Sequence, residues 1–207
     1  MANNMALYGF RWQRSRFDVL ELTERAYVAS AYQAAPSAIN VDLRPGDPVV
    51  KVSDGTVALA AAGNATYGIV AGIGQYFDGE VMRPGGASLP GGTTWGTLSE
   101  RISVVHIIPV AGQVFEIDCD DATTATTEAA YRAFIGENCD ISINAVSGDK
   151  RAYPLLDIST HETSGNSRVW RIVDLALGGN LDFSGTRVKL LVTAAQVQQA
   201  PFAVNGV

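Results

Sequence analysis

The chain has 207 residues, of which 47% are hydrophobic and 17% are charged, and its 15 basic and 21 acidic residues give a net charge of −6. The hydrophobic content excludes an intrinsically disordered chain, because disordered chains contain too few apolar residues to form a core. The acidic balance argues against a nucleic-acid binder that depends on bulk positive charge, since its partner is a polyanion. The length fits one large domain, or one and a half at about 150 residues each.

The beginning of the chain lacks the basic stretch followed by an apolar run that marks a secretory signal. No stretch reaches the roughly 18 consecutive apolar residues that a membrane-spanning helix needs. We therefore expect neither export nor membrane insertion.

The opening 17 residues are predicted to form an extended arm in which aromatic and arginine side chains interleave without a helical apolar stripe. Its aromatic and arginine residues are Tyr8, Phe10, Arg11, Trp12, Arg14, Arg16 and Phe17. The aromatic side chains dock either on the chain's own core or on a neighbouring subunit, since aromatic and arginine residues dominate interface anchors. An aromatic and basic segment is also typical of nucleic-acid binding, but the acidic chain disfavours it. An interface arm is the preferred functional hypothesis.

After the arm, β-branched and aromatic residues with turn signals between them predict strands. In the first half these strands cover residues 19–23, 26–32, 49–52, 57–60 and 67–73. Pro45 and Gly46 predict a turn before the third strand, and Asp54-Gly55 predicts the turn of a hairpin.

Residues 77–97 are rich in glycine and proline and are predicted to form one long loop. Loops of this length in compact domains are usually functional or disordered. Tyr76 and Trp95 would anchor the loop. Two alternatives stay open: a flexible surface loop without a partner, and a loop that contact with another subunit orders.

In the second half, residues 102–110 and 114–118 predict a strand pair around Ala111-Gly112, and further strands are expected at 141–144, 169–175 and 188–193. One helix is predicted at residues 127–136, with Thr126 or Thr127 as its cap, Glu128 in the first turn and Gly136 at its end. Its apolar face would consist of Ala130, Tyr131, Phe134 and Ile135.

These elements predict a mainly β fold, either a β-sandwich or a barrel-like sheet, with one short helix near residues 127–136. An α+β fold is the fallback. We expect a single β-rich domain over residues 18–207 that follows the arm and carries the long loop 77–97.

The two cysteines, Cys119 and Cys139, are too few for a disulfide framework at this length. We expect two reduced thiols. A bridge between them would require Cα atoms within about 7 Å of each other, and the sequence leaves that open.

No motif predicts catalysis. His161-Glu162 begins like a zinc-protease helix, but Gly165 stands where the second histidine is required. Residues 118–121 begin like a calcium loop that lacks its turn glycine and its final glutamate. His106 lies in a Val/Ile-rich strand, where a hydrogen-bonded core or cross-strand histidine is expected. We therefore expect no enzyme activity, no catalytic residue, no metal and no cofactor.

Several segments carry a resemblance to a known class of proteins. The main one runs from residue 43 to residue 72 and reads Leu43-Arg44-Pro45-Gly46-Asp47-Pro48, the strand 49–52, Asp54-Gly55, the alanine-rich run 57–62 and Gly68-Ile69-Val70-Ala71-Gly72. Residues 8–12, 110–117 and 199–203 contribute as well. Together they resemble head decoration proteins and other capsid-associated structural proteins of tailed bacteriophages.

The resemblance implies a virion structural protein on the outer capsid surface, synthesised in the host cytoplasm, that clamps the major capsid protein and neighbours copies of itself. We expect no nucleic-acid partner, because the chain is acidic, and no membrane partner, because it lacks a long apolar run. The expected interface residues are Tyr8, Phe10, Arg11, Trp12, Arg14 and Arg16 in the arm, with Trp95 and Phe202 as second-rank candidates. Two alternatives remain: a tail, connector or spike component of the virion, and a glycan-binding β-sandwich module that stacks Tyr76 and Trp95 on sugar.

Overall fold

A computed structural model describes residues 9–15, 24–27, 42–52, 55–78, 81–86, 89, 104–120, 125–145, 152–162, 168–176, 183 and 188–196. These residues form thirteen strands and one short helix. The strands are β1 (Arg11–Ser15), β2 (Glu24–Tyr27), β3 (Pro48–Lys51), β4 (Val57–Leu59), β5 (Gly68–Ile73), β6 (Tyr76–Asp78), β7 (Val81–Arg83), β8 (Val104–Pro109), β9 (Gln113–Asp118), β10 (Asn138–Ala145), β11 (Ala152–Glu162), β12 (Trp170–Leu175) and β13 (Lys189–Ala194), and the helix is α1 (Glu128–Ala133).

The strands form two main antiparallel sheets. One has six strands in the order β1-β9-β13-β12-β10-β11, and the other has five in the order β2-β8-β5-β3-β4. β6 and β7 form a separate two-stranded hairpin. The prediction of a mainly β fold with one short helix is confirmed over the described residues.

Apolar side chains pack against both faces of the five-stranded sheet. Neighbouring residues of a strand point to opposite faces, and in β5 and β8 such neighbours belong to two different apolar clusters. Ile69 and Ile108 belong to the core of the six-stranded sheet. Val70 and Ile107, the next residue in β5 and the preceding one in β8, belong to a second apolar cluster. The two sheets therefore share one core, and the five-stranded sheet carries a smaller core on its far face.

The predicted strand pair around Ala111-Gly112 is wrong. β8 pairs with β2 and β5, whereas β9 pairs with β1 and β13, so the chain crosses from one sheet to the other at this turn. Ile108, Val110 and Phe115 all lie in the shared core. The crossing lets both strands bury apolar side chains in one core, which a flat hairpin at this point would not achieve.

β11 was not predicted, and His161, considered above only as the start of a zinc-protease helix, lies near its end. At 11 residues it is the longest described strand. Pro154 lacks the N–H of a ladder donor, but β11 is an edge strand, where proline is tolerated. The pairing with β10 shifts from Asp140↔Asp157 to Asn138↔Glu162, which marks a bulge at this end of the strand.

The region predicted as one long loop contains regular structure. β6 and β7 pair in register from Tyr76↔Arg83 to Asp78↔Val81. Leu89 is fully buried and exchanges two backbone hydrogen bonds with Leu43, at 2.9 and 2.7 Å. The predicted strand at 19–23 lies outside the described residues, and the strand predicted at 26–32 is described only through β2.

The predicted helix is confirmed, with α1 at Glu128–Ala133. Thr127 is the N-cap, and its Oγ1 accepts a hydrogen bond from the Ala130 N–H at 3.3 Å. Gly136 follows with a φ of 94°, the left-handed conformation that ends many helices. Tyr131 is buried as expected, but Ile135 is 37% exposed and does not belong to the apolar face. Among the described residues, no helix has the length and apolar character that crossing a membrane requires.

Candidate functional site

The candidate site is β1, the described part of the predicted arm. β1 is the edge strand of the six-stranded sheet and pairs antiparallel with β9 from Arg11↔Glu116 to Ser15↔Gln113, with a bulge between Trp12 and Arg14. The structure therefore brings four predicted interface residues together on one strand and at its entry, namely Phe10, Arg11, Trp12 and Arg14. Tyr8, Arg16, Trp95 and Phe202 lie outside the described residues, so nothing is stated about their positions.

Phe10 anchors the start of this strand in the core. It is only 3% exposed, and its ring centroid lies 4.3 Å from that of Trp170 and 6.0 Å from that of Phe115. The Phe115 contact is edge-on, with an interplanar angle of 86°, which is a favourable geometry for two aromatic rings. Phe10 is thus a core residue, as in the interpretation that the arm aromatics dock on their own domain.

A turn of the five-stranded half fixes where β1 begins. The Phe10 N–H donates to the Gly46 carbonyl at 2.9 Å, and the Gly46 N–H donates to the Val70 carbonyl at 2.8 Å. Gly9 has a φ of +95°, and a Cβ at this position would come within 2.8 Å of the Gly46 oxygen. The close approach therefore requires glycine at position 9.

The same turn contains a buried carboxyl group. Asp47 is 2% exposed, and its Oδ2 accepts a hydrogen bond from the Arg44 N–H at 2.7 Å. Burial raises the pKa of Asp47 to about 8, against the opposing effect of this hydrogen bond. Arg44 in turn contacts the Asp42 carboxylate at 3.2 Å. The turn at residues 44–47, within segment 43–72, therefore supports the start of β1.

Arg11 joins β1 to a charged network on the outer side of the six-stranded sheet. Its guanidinium lies 2.8 Å from Glu116 Oε1 and 3.8 Å from Asp118 Oδ1. Lys189 Nζ lies 3.6 Å from the same Glu116 oxygen. The Arg11 side chain is 29% exposed, so solvent screens these pairs and each is weak alone. The network sets the register of β1 by placing a cation opposite two acids.

Trp12 and Gln13 complete the contacts of the strand. The Trp12 indole N–H donates to Gln113 Oε1 at 2.8 Å, and its half-buried ring packs against the core. Gln13 is exposed, and its amide donates to Glu116 Oε2 at 3.1 Å. One end of the strand is therefore in the core, while its middle stays at the protein surface.

β1 shares one edge of β9 with β11. β1 covers residues 113–116 of this edge, and beyond them Cys119 forms a parallel bridge with Leu156, where the Asp120 N–H donates to the Leu156 carbonyl at 3.0 Å. The six-stranded sheet therefore curls so that its two edge strands meet β9 from the same side. β1 covers the part of the β9 edge that β11 does not reach.

A second polar cluster lies at the bulged end of β11. His161 Nδ1–H donates to Glu137 Oε2 at 2.7 Å, since a carboxylate only accepts, and the imidazole lies 4.8 Å from the Phe134 ring. Arg168 contacts Asp140 Oδ2 at 2.6 Å, and this hydrogen bond raises the pKa of Arg168. The first pair ties β11 to the loop after α1, and the second ties β10 to the residues just before β12. Within the part of the chain that the structure describes, no three His, Cys, Asp or Glu side chains are grouped to hold a metal ion.

Cys119 and Cys139 are both buried, reduced thiols in the shared core. Burial, and next the neighbouring Cys119, raise the pKa of Cys139 to about 12. A thiol with so high a pKa is a poor nucleophile at neutral pH, because the thiolate is the reactive form.

Sequence reasoning missed the residues that receive β1, namely Gln113, Glu116, Asp118 and Lys189. The available signal was the alternation in β9, where Glu116 and Asp118 occupy one face and Phe115 and Ile117 the other. An acidic strand face fits an arginine-bearing strand, but the sequence does not say which two strands are neighbours.

Comparison with protein-family models, with curated proteins and with solved structures finds no match to this chain. What the fold itself defines is the class: a mainly β protein of two antiparallel sheets. In this protein the six-stranded sheet has an N-terminal edge strand, β1, which the Phe10 side chain anchors in the core.

Proposed function

We propose that this chain is a structural protein of a tailed-bacteriophage head, which binds the major capsid protein on the outer surface and stabilises the shell. The resemblance of residues 43–72 to head decoration proteins supports this proposal. The proposed role needs no catalytic step and no cofactor. In this proposal the protein is synthesised in the host cytoplasm and is then incorporated into the virion.

The edge position of β1 is the observation that carries the proposal. Within the described residues β1 pairs with β9 alone, and Arg11, Trp12 and Gln13 keep exposed surface. The free side of an edge strand offers backbone N–H and C=O groups to a strand of another protein. Aromatic and arginine side chains beside it are the residue types that most often anchor interfaces.

The anchoring of β1 also favours binding energetically. The Phe10 ring and the Arg11 ion pairs hold the strand before any partner arrives, so less conformational entropy is lost on binding. A stable contact needs on the order of 1,000–2,000 Å² of buried surface, which β1 would share with neighbouring elements. Repetition over a closed shell turns a modest affinity at each site into a large collective stabilisation.

The first test is the copy number of this chain per major capsid subunit in purified particles, measured by quantitative mass spectrometry. A ratio near one, or a simple fraction set by the lattice, supports the proposal. A few copies per particle would assign the protein to the tail, connector or spike, and absence from the particle would refute a virion role.

A second test examines β1 itself. A bulky side chain at the exposed position in Gln13→Trp should obstruct docking and weaken binding to purified shells by about tenfold or more, the effect expected at the centre of an interface. Ala62→Trp, at an exposed turn in the other half of the protein, is the matched control and should bind like the wild type. Equal binding by both variants would exclude β1 from the capsid contact.

A further inference from the structure

β1 makes its contacts with residues far away in the sequence. The Trp12–Gln113 and Gln13–Glu116 hydrogen bonds span 101 and 103 residues. The ring partners of Phe10, Phe115 and Trp170, are equally non-local. The site on β9 is therefore built entirely by parts of the chain that do not adjoin β1.

The next described strand after β1 lies in the other sheet. β2 pairs with β8 in the five-stranded sheet, whereas β1 pairs with β9 in the six-stranded one. Eight residues, 16–23, connect the two strands. Eight residues reach at most about 28 Å when extended, so an exchanged strand must come from a copy whose β2 lies within that reach.

The β9 site selects its occupant by three features. It requires an aromatic ring to fill the space beside Phe115 and Trp170. Directly after that ring it requires a cation opposite Glu116 and Asp118, and then a hydrogen-bond donor within reach of the side-chain oxygen Gln113 Oε1. Phe10, Arg11 and Trp12 supply these features in this order, so the strand that fits the site is the chain's own N-terminal strand or the same strand of a second copy.

We propose that the edge of β9 that β1 covers (Gln113–Glu116) is a strand-acceptor site that also takes residues 10–15 of a second copy of this chain in place of its own. The exchanged strand makes the same contacts as the strand in place. The two arrangements then differ only in the path of the connection and in the entropy of association, which is why strand exchange is a low-cost route to oligomers. This inference deepens the proposed function, since it states how neighbouring copies on a shell would be linked.

The second copy contributes a core residue in this arrangement. Its Phe10 occupies the space beside Trp170, so the core of each protomer is completed by the other. High protein concentration favours the exchanged form, because the acceptor site is the same in both forms and only association differs. A shell surface that holds many copies side by side supplies such a concentration.

The experiment uses two full-length single variants with different affinity tags. Ser15 and Gln113 are directly opposite across β1 and β9, so Ser15→Cys in one chain and Gln113→Cys in the other can form a disulfide only when β1 of one chain pairs with β9 of the other. The two chains are unfolded together, refolded at increasing concentration and oxidised with oxidised glutathione. Strand exchange predicts a disulfide-linked dimer that carries both tags and whose yield rises with concentration.

Two control proteins are oxidised in the same way as the mixed single variants. The double variant with both cysteines in one chain should close a disulfide within the monomer at low concentration. The wild type should form no disulfide-linked dimer, because Cys119 and Cys139 are buried. If the double variant closes its disulfide and the mixed single variants stay monomeric at every concentration, the proposal is overturned.

A charge exchange separates specific pairing from random thiol collisions. Adding Arg11→Glu to the Ser15→Cys chain places two acids opposite each other and should reduce the yield of the mixed dimer several-fold. Adding Glu116→Arg to the Gln113→Cys chain should restore it. If the yield of the mixed dimer is the same with and without Arg11→Glu and Glu116→Arg, strand exchange in the observed register is contradicted. Because no capsid is present, failure of strand exchange and failure of the proposed capsid role give separate results.

Discussion

Phe10 and Trp170 lie with their ring centroids 4.3 Å apart and an interplanar angle of 32°, although one enters the N-terminal strand and the other begins β12. Phe115 of β9 contacts both rings edge-on. This group of three rings joins the first described strand to β9 and β12, the second and the fourth strands of the six-stranded sheet. It makes the N-terminal segment part of the fold.

Phe10→Ala should lower the free energy of unfolding by about 3–5 kcal/mol, because truncating a buried phenylalanine leaves a cavity beside Phe115 and Trp170. Urea unfolding followed by tryptophan fluorescence measures the change. Gln13→Ala, on the exposed face of the same strand, is the control and should change stability by less than about 0.5 kcal/mol. Equal effects of the two substitutions would mean that Phe10 does not pack in the core.

Asp47→Asn should remove a loss of stability that the wild type shows as the pH rises from about 4 to about 8. The pKa of Asp47 rises from 3.8 to about 8 on folding, so the folded protein retains a proton that the unfolded chain releases. The stabilisation is full below about pH 4 and is lost as the pH rises through about 8. Asparagine keeps an oxygen that accepts from the Arg44 N–H but does not titrate. Compared with Asp47→Asn, the wild type should therefore become less stable between about pH 4 and pH 8.

Thermal unfolding over this pH range measures the difference. Asp174→Asn is the matched control, since the Asp174 side chain is 47% exposed. Its stability relative to the wild type should stay constant across the range. A constant difference for Asp47→Asn as well would argue against a buried, protonated Asp47.

Thr127→Ala should destabilise the protein by about 1 kcal/mol, the usual effect of losing an N-cap oxygen. Thr126→Ala tests the neighbouring candidate and should have little effect, because the Thr127 hydroxyl is the one that accepts from the Ala130 N–H. Chemical unfolding of the pair distinguishes the two. Similar losses in both variants would mean that the cap is not confined to Thr127.

The two thiols should stay unreactive in the folded protein. Cys119 and Cys139 are 1% and 0% exposed, and the pKa of Cys139 is about 12. Iodoacetamide at neutral pH should therefore add to neither cysteine, whereas the urea-unfolded chain should gain two adducts by intact-mass spectrometry. Rapid labelling of the folded protein would show that the core around these thiols opens readily.

The sequence predicts those elements whose signals are local. Thr127 caps α1 and Glu128 lies in its first turn as predicted, whereas the helix ends at Ala133, three residues before Gly136. Most strands of the second half also coincide with β-branched runs. Fold class and helix are therefore predictable without knowledge of the neighbours of each strand.

The sequence-based predictions are wrong where residues far apart in the sequence determine how the strands pair. The chain crosses between the sheets at Gly112 because Val110 and Phe115 share a core, and no short-range pattern reports that. β11 was missed because Pro154 normally argues against a strand, whereas an edge position removes the objection. The contacts of Arg11 with Glu116 and Asp118 likewise depend on a strand pairing that spans half the chain.

The long separation between β1 and its partner has a consequence during protein synthesis. Phe10 leaves the ribosome about 100 residues before Gln113–Glu116 exist, since the contacts of the strand span 101 and 103 residues. At roughly 5–20 residues per second, β1 then waits for about 5–20 seconds without its acceptor. Throughout this interval a chain nearer completion on the same messenger RNA offers a finished β9. Polysomes are thus the first place in the cell where one copy can capture the N-terminus of another.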